Sequence, residues 1–148
     1  MRPILKILRS LSLASLLFGG VFANHALADI AVVVPTSSPI KSLSQKDISD
    51  IYLGRLRSLQ GVGILQVLDH PQNSLMRERF FMALNGMDLR RVNAYWARLQ
   101  FSGDTQPPMT VADNNHLLKA VTRNVESIGY VDAANVTDAV RTVYRIKE

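Results

Sequence analysis

The chain has 148 residues and no cysteine, with 47% hydrophobic and 20% charged residues. Its 17 Lys+Arg stand against 12 Asp+Glu, a formal net charge of +5. One domain is expected at this length, an ordinary apolar fraction excludes global disorder, and the lack of Cys excludes disulfides, thiolate metal sites and cysteine nucleophiles.

Residues 1–28 read as a secretory signal peptide. Arg2, Lys6 and Arg9 form a basic start with no acid, and Leu11 to Ala23 is an uncharged run. Ala26-Leu27-Ala28 supplies the small-x-small pattern of a cleavage site. The apolar run is shorter than the roughly 20 residues a spanning helix needs. Cleavage after Ala28 would export residues 29–148 to the periplasm as one domain. It would also leave 14 basic against 12 acidic residues, so the basic excess gives no support for nucleic-acid binding. Ten of the remaining cations are Arg and four are Lys. Guanidinium forks suit oxyanions better than ammonium groups do.

Ile30 to Val34 is a β-branched apolar run stopped by Pro35, the pattern of a strand buried on both faces. Thr36-Ser37-Ser38 before Pro39 is a hydroxyl-rich turn. Ser44 and Asp47 form a capping box for a helix carrying Ile48, Ile51 and Tyr52, which Gly54 ends. Val62 to Leu68 reads as a second buried strand, closed by Asp69-His70-Pro71. Asn73 or Ser74 then caps a helix with Leu75, Phe80, Phe81 and Leu84 on one face, broken at Asn85-Gly86. Asp88 caps a helix carrying Val92, Tyr95, Trp96 and Leu99, and residues 102–110 read as a loop. Asp113 starts a helix with Leu117, Leu118, Val121 and Val125. Ile128 to Val131 and Val140 to Ile146 close the chain as strands. Strands separated by helices predict a three-layer α/β domain, its sheet mostly parallel and its helices on both faces.

The segment from Asp69 to Phe80 is the most informative for function. It is a strand end, a turn and a helix start, and ligands of open α/β sheets collect beyond the carboxyl ends of strands. Free N–H groups at a helix start attract anions, and Arg77 falls in that first turn. The Thr36–Ser38 turn, after the first strand, either offers donors to the same crevice or is simple turn chemistry before Pro39. No constellation supports an enzyme: Asp69-His70 beside Ser74 lacks triad geometry, and nothing fixes the separation of Asp69, His70 and His116 for a metal. No cofactor motif is present. The spacing of Tyr95 and Trp96 with Val92 and Leu99 places them in a core, with no nucleic-acid platform.

These motifs, in this order, resemble the second lobe of the periplasmic phosphate-binding proteins of ABC transporters. The resemblance runs from Ile30–Val34 and Ser38-Pro39 through Asp47-Ile48 and Tyr52 to Gly54. It continues with Asn73-Ser74, Arg77, Phe80-Phe81 and Ala120-Val121, and ends at Ile128-Gly129-Tyr130-Val131. It implies one lobe of a type II periplasmic-binding-protein-like fold. Ser74 and Arg77 match a family turn of Ser-Gly-Thr followed by Arg that donates to phosphate; Leu75 and Met76 replace its Gly and Thr. His70 stands near a basic residue that is usually Arg in that family. The expectation is therefore a binding module with a weak phosphate or related oxyanion site at Ser74 and Arg77, with His70 and Ser38 as lesser candidates. The alternative is a ligand-free lobe that docks on a membrane transporter or sensor. A homodimer that rebuilds a two-lobed cleft would serve either role.

Overall fold

The computed structural model describes residues 28–148; the signal peptide expected over residues 1–28 falls, apart from Ala28, outside them. Seven strands and four α-helices follow in the order expected for an α/β lobe. They are β1 (Ile30–Pro35), α1 (Gln45–Tyr52), β2 (Ser58–Leu59), β3 (Gly63–Ile64), β4 (Gln66–Asp69), α2 (Leu75–Asn85), α3 (Leu89–Ser102), β5 (Met109–Thr110), α4 (Asn114–Val121), β6 (Ser127–Asp132) and β7 (Val140–Ile146).

The main sheet has the order β5-β4-β6-β1-β7. Its fourth strand, β1, lies between β6 and β7, and all six of its residues are buried. Ile30, Val32 and Val34 face a core shared with α1, α2 and α3, while Ala31 and Val33 face a smaller core under α4. This two-sided burial is why the strand reads as an unbroken apolar run. β4 pairs parallel with β5 and β6, whereas β1 pairs antiparallel with β6 and β7. Four strands thus run one way and β1 alone runs against them. The sheet is mostly parallel, with helices on both faces, as the sequence predicts.

The larger core is built around four rings. Phe80 of α2 stacks on Tyr130 of β6 with centroids 3.6 Å apart, and Tyr52 meets Phe80, Phe81 and Tyr130 edge-on. Offset and edge-to-face pairs of this kind add to the area they bury.

Two local expectations change. Val62 to Leu68 does not form one strand: residues 60–62, with Gly61 at φ +78°, turn the chain so that β3 pairs back on β2, and pairing with the main sheet begins only at Gln66. Residues 102–110 are not wholly loop, since Met109 and Thr110 pair with Leu68 and Asp69. That strand is short because Pro107 and Pro108, just before it, have no N–H to donate. Among the described residues no helix is long and apolar enough to cross a membrane.

Candidate functional site

The carboxyl end of β4 delivers Asp69 and His70 into a buried polar cluster. Ser74 caps α2: its Oγ accepts from the Arg77 N–H at 3.2 Å, and its backbone is extended at φ −78°, ψ 144°. The helix therefore starts one short turn after β4, with its first N–H groups outside its own hydrogen-bond ladder. Those of Leu75 and Met76 have no acceptor among the described residues. Such orphan donors, with the helix dipole, favour an anion.

Arg77 points inward from this first turn and is 4% exposed. Its Nε donates to Asp69 Oδ2 at 2.7 Å, and Nη1 donates to Asn93 Oδ1 at 2.6 Å and Gln72 O at 3.2 Å. The guanidinium also lies over the Phe81 ring, 5.1 Å from its centroid. Asp69 completes its own shell with the His70 N–H and the Tyr130 hydroxyl on Oδ1. Burial, then the Asp69 charge, pushes the Tyr130 and Tyr52 phenols well above their ordinary range. His70 Nε2 lies 2.9 Å from Tyr130 O. A carbonyl can only accept, so Nε2 carries a hydrogen.

Asp69, His70 and Arg77 open onto a cavity of about 270 Å³, whose other walls include Asn93, Gln100 and Pro107-Pro108. Of the four residues singled out from sequence, His70 and Arg77 meet in this cavity, while Ser74 caps the helix that carries Arg77 and does not line the cavity. Ser38 does not join them. Because β1 runs against β4 and β6, its carboxyl end lies beside the start of β6, at the opposite end of the sheet from Asp69. There Ser38 is buried, its Oγ accepts from the Ile40 N–H at 3.3 Å, and its carbonyl accepts from Arg141. The shared-crevice reading of the Thr36–Ser38 turn is therefore corrected: one reversed strand separates the two turns.

Sequence reasoning missed Asn93 and the role of Asp69. Asn93, the fifth residue of α3, is an unremarkable polar residue sixteen positions from the guanidinium it touches. The sign of Arg77, a cation where the helix dipole disfavours one, was the available hint that a carboxylate lay nearby. Among the described residues no group of three or more His, Asp or Glu could hold a metal ion.

No family model and no curated relative matches the chain. Solved structures do. An ABC-type phosphate transport receptor from Vibrio cholerae superposes with a TM-score of 0.61 at 18% identity, covering 80% of this chain and 47% of that one. A proposed phosphate ABC transporter substrate-binding protein with bound phosphate, from Clostridium perfringens, gives 0.63 at 20%, covering 80% and 46%. A proposed phosphate-binding protein from Planctomyces limnophilus gives 0.59 at 13%, covering 80% and 42%. Identities this low show the fold, which is that of one lobe of these receptors. The chain spans less than half the length of each.

Proposed function

We propose that residues 29–148 form an exported, periplasmic solute-binding-protein-like module that holds phosphate or a related small oxyanion weakly and performs no chemistry. The observation that carries this reading is the first turn of α2, which leaves the N–H groups of Leu75 and Met76 without acceptors among the described residues and sends the Arg77 guanidinium inward to line an open cavity. The fold shared with phosphate receptors supports it. Ser74 holds the helix start, Arg77 supplies positive charge, and His70 lines the same cavity. The anion would be partly hydrated, because one lobe covers only one side, and each contact is then worth less.

The test is thermal unfolding with millimolar phosphate, sulfate as control, and Leu75→Pro. Proline at the first helical position removes one N–H without disturbing the helix, and the extended Ser74 before it accepts a following proline. A ligand at 100 times its Kd adds about 2.7 kcal/mol. Each kcal/mol should move the midpoint by roughly 4 °C for a domain of this size. Loss of the phosphate effect in a folded Leu75→Pro variant supports the site; no effect in the parent chain rejects it.

A second reading is favoured by one specific observation: the Ser74 hydroxyl, His70 Nε2 and Arg77 Nε and Nη1 all have partners within the chain. A lobe so satisfied needs no ligand and would serve as a docking module for a membrane transporter or sensor, or pair with a second copy. Indifference to phosphate, with a stoichiometric partner recovered from envelope extracts, would select it.

A further inference from the structure

The charged groups of the cavity at the end of β4 are satisfied by one another, but its uncharged polar groups are not. The side chains of Gln72, Gln100 and Thr110, which are exposed, and the Nδ2 of half-buried Asn93 have no hydrogen-bond partner among the described residues, so they are open to a ligand or to water, and all four line the cavity. The Asn93 amide has a fixed sense. Its Oδ1 must face the Arg77 donor, so its two N–H donors turn to the open side.

These groups extend well past Arg77. Asn93, Ala97 and Gln100 lie on one face of α3 at spacings of four and three, and all three line the cavity. Seven residues of helix rise about 10 Å, close to two turns. A bare tetrahedral oxyanion seated at Arg77 and the start of α2 would fill only the near turn. The far turn, walled by Ala97 and Gln100, would stay vacant. The cavity volume, about 270 Å³, approaches the lower end of pockets that take organic ligands.

We propose that this cavity takes an oxyanion ester of a small hydroxylated molecule, with the anionic group at Arg77 and the hydroxylated carbon chain along the Asn93–Ala97–Gln100 face of α3. Amides and a threonine hydroxyl can each donate to and accept from ligand hydroxyls, whereas a chain of bare methylenes would leave them unpaired. The proline pair offers the carbon skeleton an apolar wall. The inference rests on the oxyanion reading above and adds the ligand class to it.

Calorimetric titration of the 29–148 chain with glycerol 3-phosphate and with inorganic phosphate tests it. The ester is expected to bind at least tenfold more tightly. Ala97→Trp fills the far turn from an exposed helix position, and Gln100→Ala removes a polar partner there. Each should bring the ratio of the two affinities towards one, with melting of the unliganded variants checking that they fold. A parent chain that binds inorganic phosphate as tightly as the ester overturns this inference and leaves the oxyanion site standing. A tenfold preference that survives both substitutions also overturns it, because the carbon chain then lies elsewhere. Binding of neither ligand rejects the oxyanion reading and this inference together.

Discussion

The Arg77 Nε lies 2.7 Å from Asp69 Oδ2, with the two side chains 5% and 4% exposed. The pair joins the first turn of α2 to the end of β4, and it decides how much positive charge the cavity presents. A guanidinium facing a buried carboxylate offers an anion its directed N–H groups more than a net charge.

Breaking that pair should be costly. Asp69→Asn leaves a buried cation without its counter-ion and puts an amide against the Tyr130 hydroxyl and His70 N–H, so a loss of about 3–5 kcal/mol is expected. The double variant Asp69→Asn with Arg77→Met removes the stranded charge and should unfold at a higher urea concentration than Asp69→Asn alone. A single variant within about 1 kcal/mol of the parent would show that the pair does not hold the fold. If the oxyanion reading is right, phosphate should stabilise Asp69→Asn more than the parent, since an anion then replaces the lost carboxylate.

At Gly129 the sheet comes close to α4. A Cβ there would lie 2.6 Å from Leu117 Cδ2, 3.0 Å from Leu117 Cγ and 3.2 Å from Val121 Cγ2. Leu117 and Val121 are fully buried and have little room to turn aside. Gly129→Ala should therefore cost about 1–3 kcal/mol by overpacking. Adding Leu117→Val should recover part of that loss in thermal melts. Strict additivity of the two substitutions would show that the contact is not the cause.

The fold was legible where its causes are local. Ser44, Ser74, Asp88 and Asp113 each accept from an N–H three residues on, as their positions before apolar-periodic segments predict. Strand direction is a different matter. Nothing within Ile30–Pro35 encodes that it runs against its neighbours, because pairing partners lie about a hundred residues away in β6 and β7. That single reversal moves Ser38 out of the site. Separation in sequence also hid Asn93, 16 residues from Arg77, and Tyr130, 61 from Asp69, from any reading of the Asp69–Arg77 segment.

The buried phenols predict behaviour in alkali. Burial, followed by the Asp69 charge, raises Tyr52 and Tyr130 well above the ordinary phenol range near 10. With the folded value above the unfolded one, this contribution to stability is complete below the unfolded value and is lost as pH rises beyond it. Ultraviolet titration should thus show two of the chain's four tyrosines ionising only with unfolding. Smooth ionisation of all four in a chain that keeps its circular dichroism would contradict the burial of these rings.

Acid acts on the opposite side, at the start of α1. The Ser44 Oγ accepts from the Asp47 N–H at 3.1 Å, while Asp47 Oδ2 accepts from the Ser44 N–H at 3.1 Å and its hydroxyl at 2.6 Å. The Ser44 hydroxyl, then its backbone N–H, holds the Asp47 carboxyl below its ordinary range. Asp113, which caps α4, is lowered in the same way by the His116 N–H and then its ring. A lowered folded value means stability that is present above the ordinary carboxylate range, near 4, and lost as pH falls through the folded value. Ser44→Ala should cost about 1 kcal/mol at neutral pH. The gap between this variant and the parent should narrow below about pH 4, as Asp47 takes up a proton and stops accepting from Ser44. Melting curves of both proteins from neutral pH to pH 3 would measure it. A gap that stays constant across that range would mean the hydroxyl acts only as a helix cap, without coupling to the carboxylate.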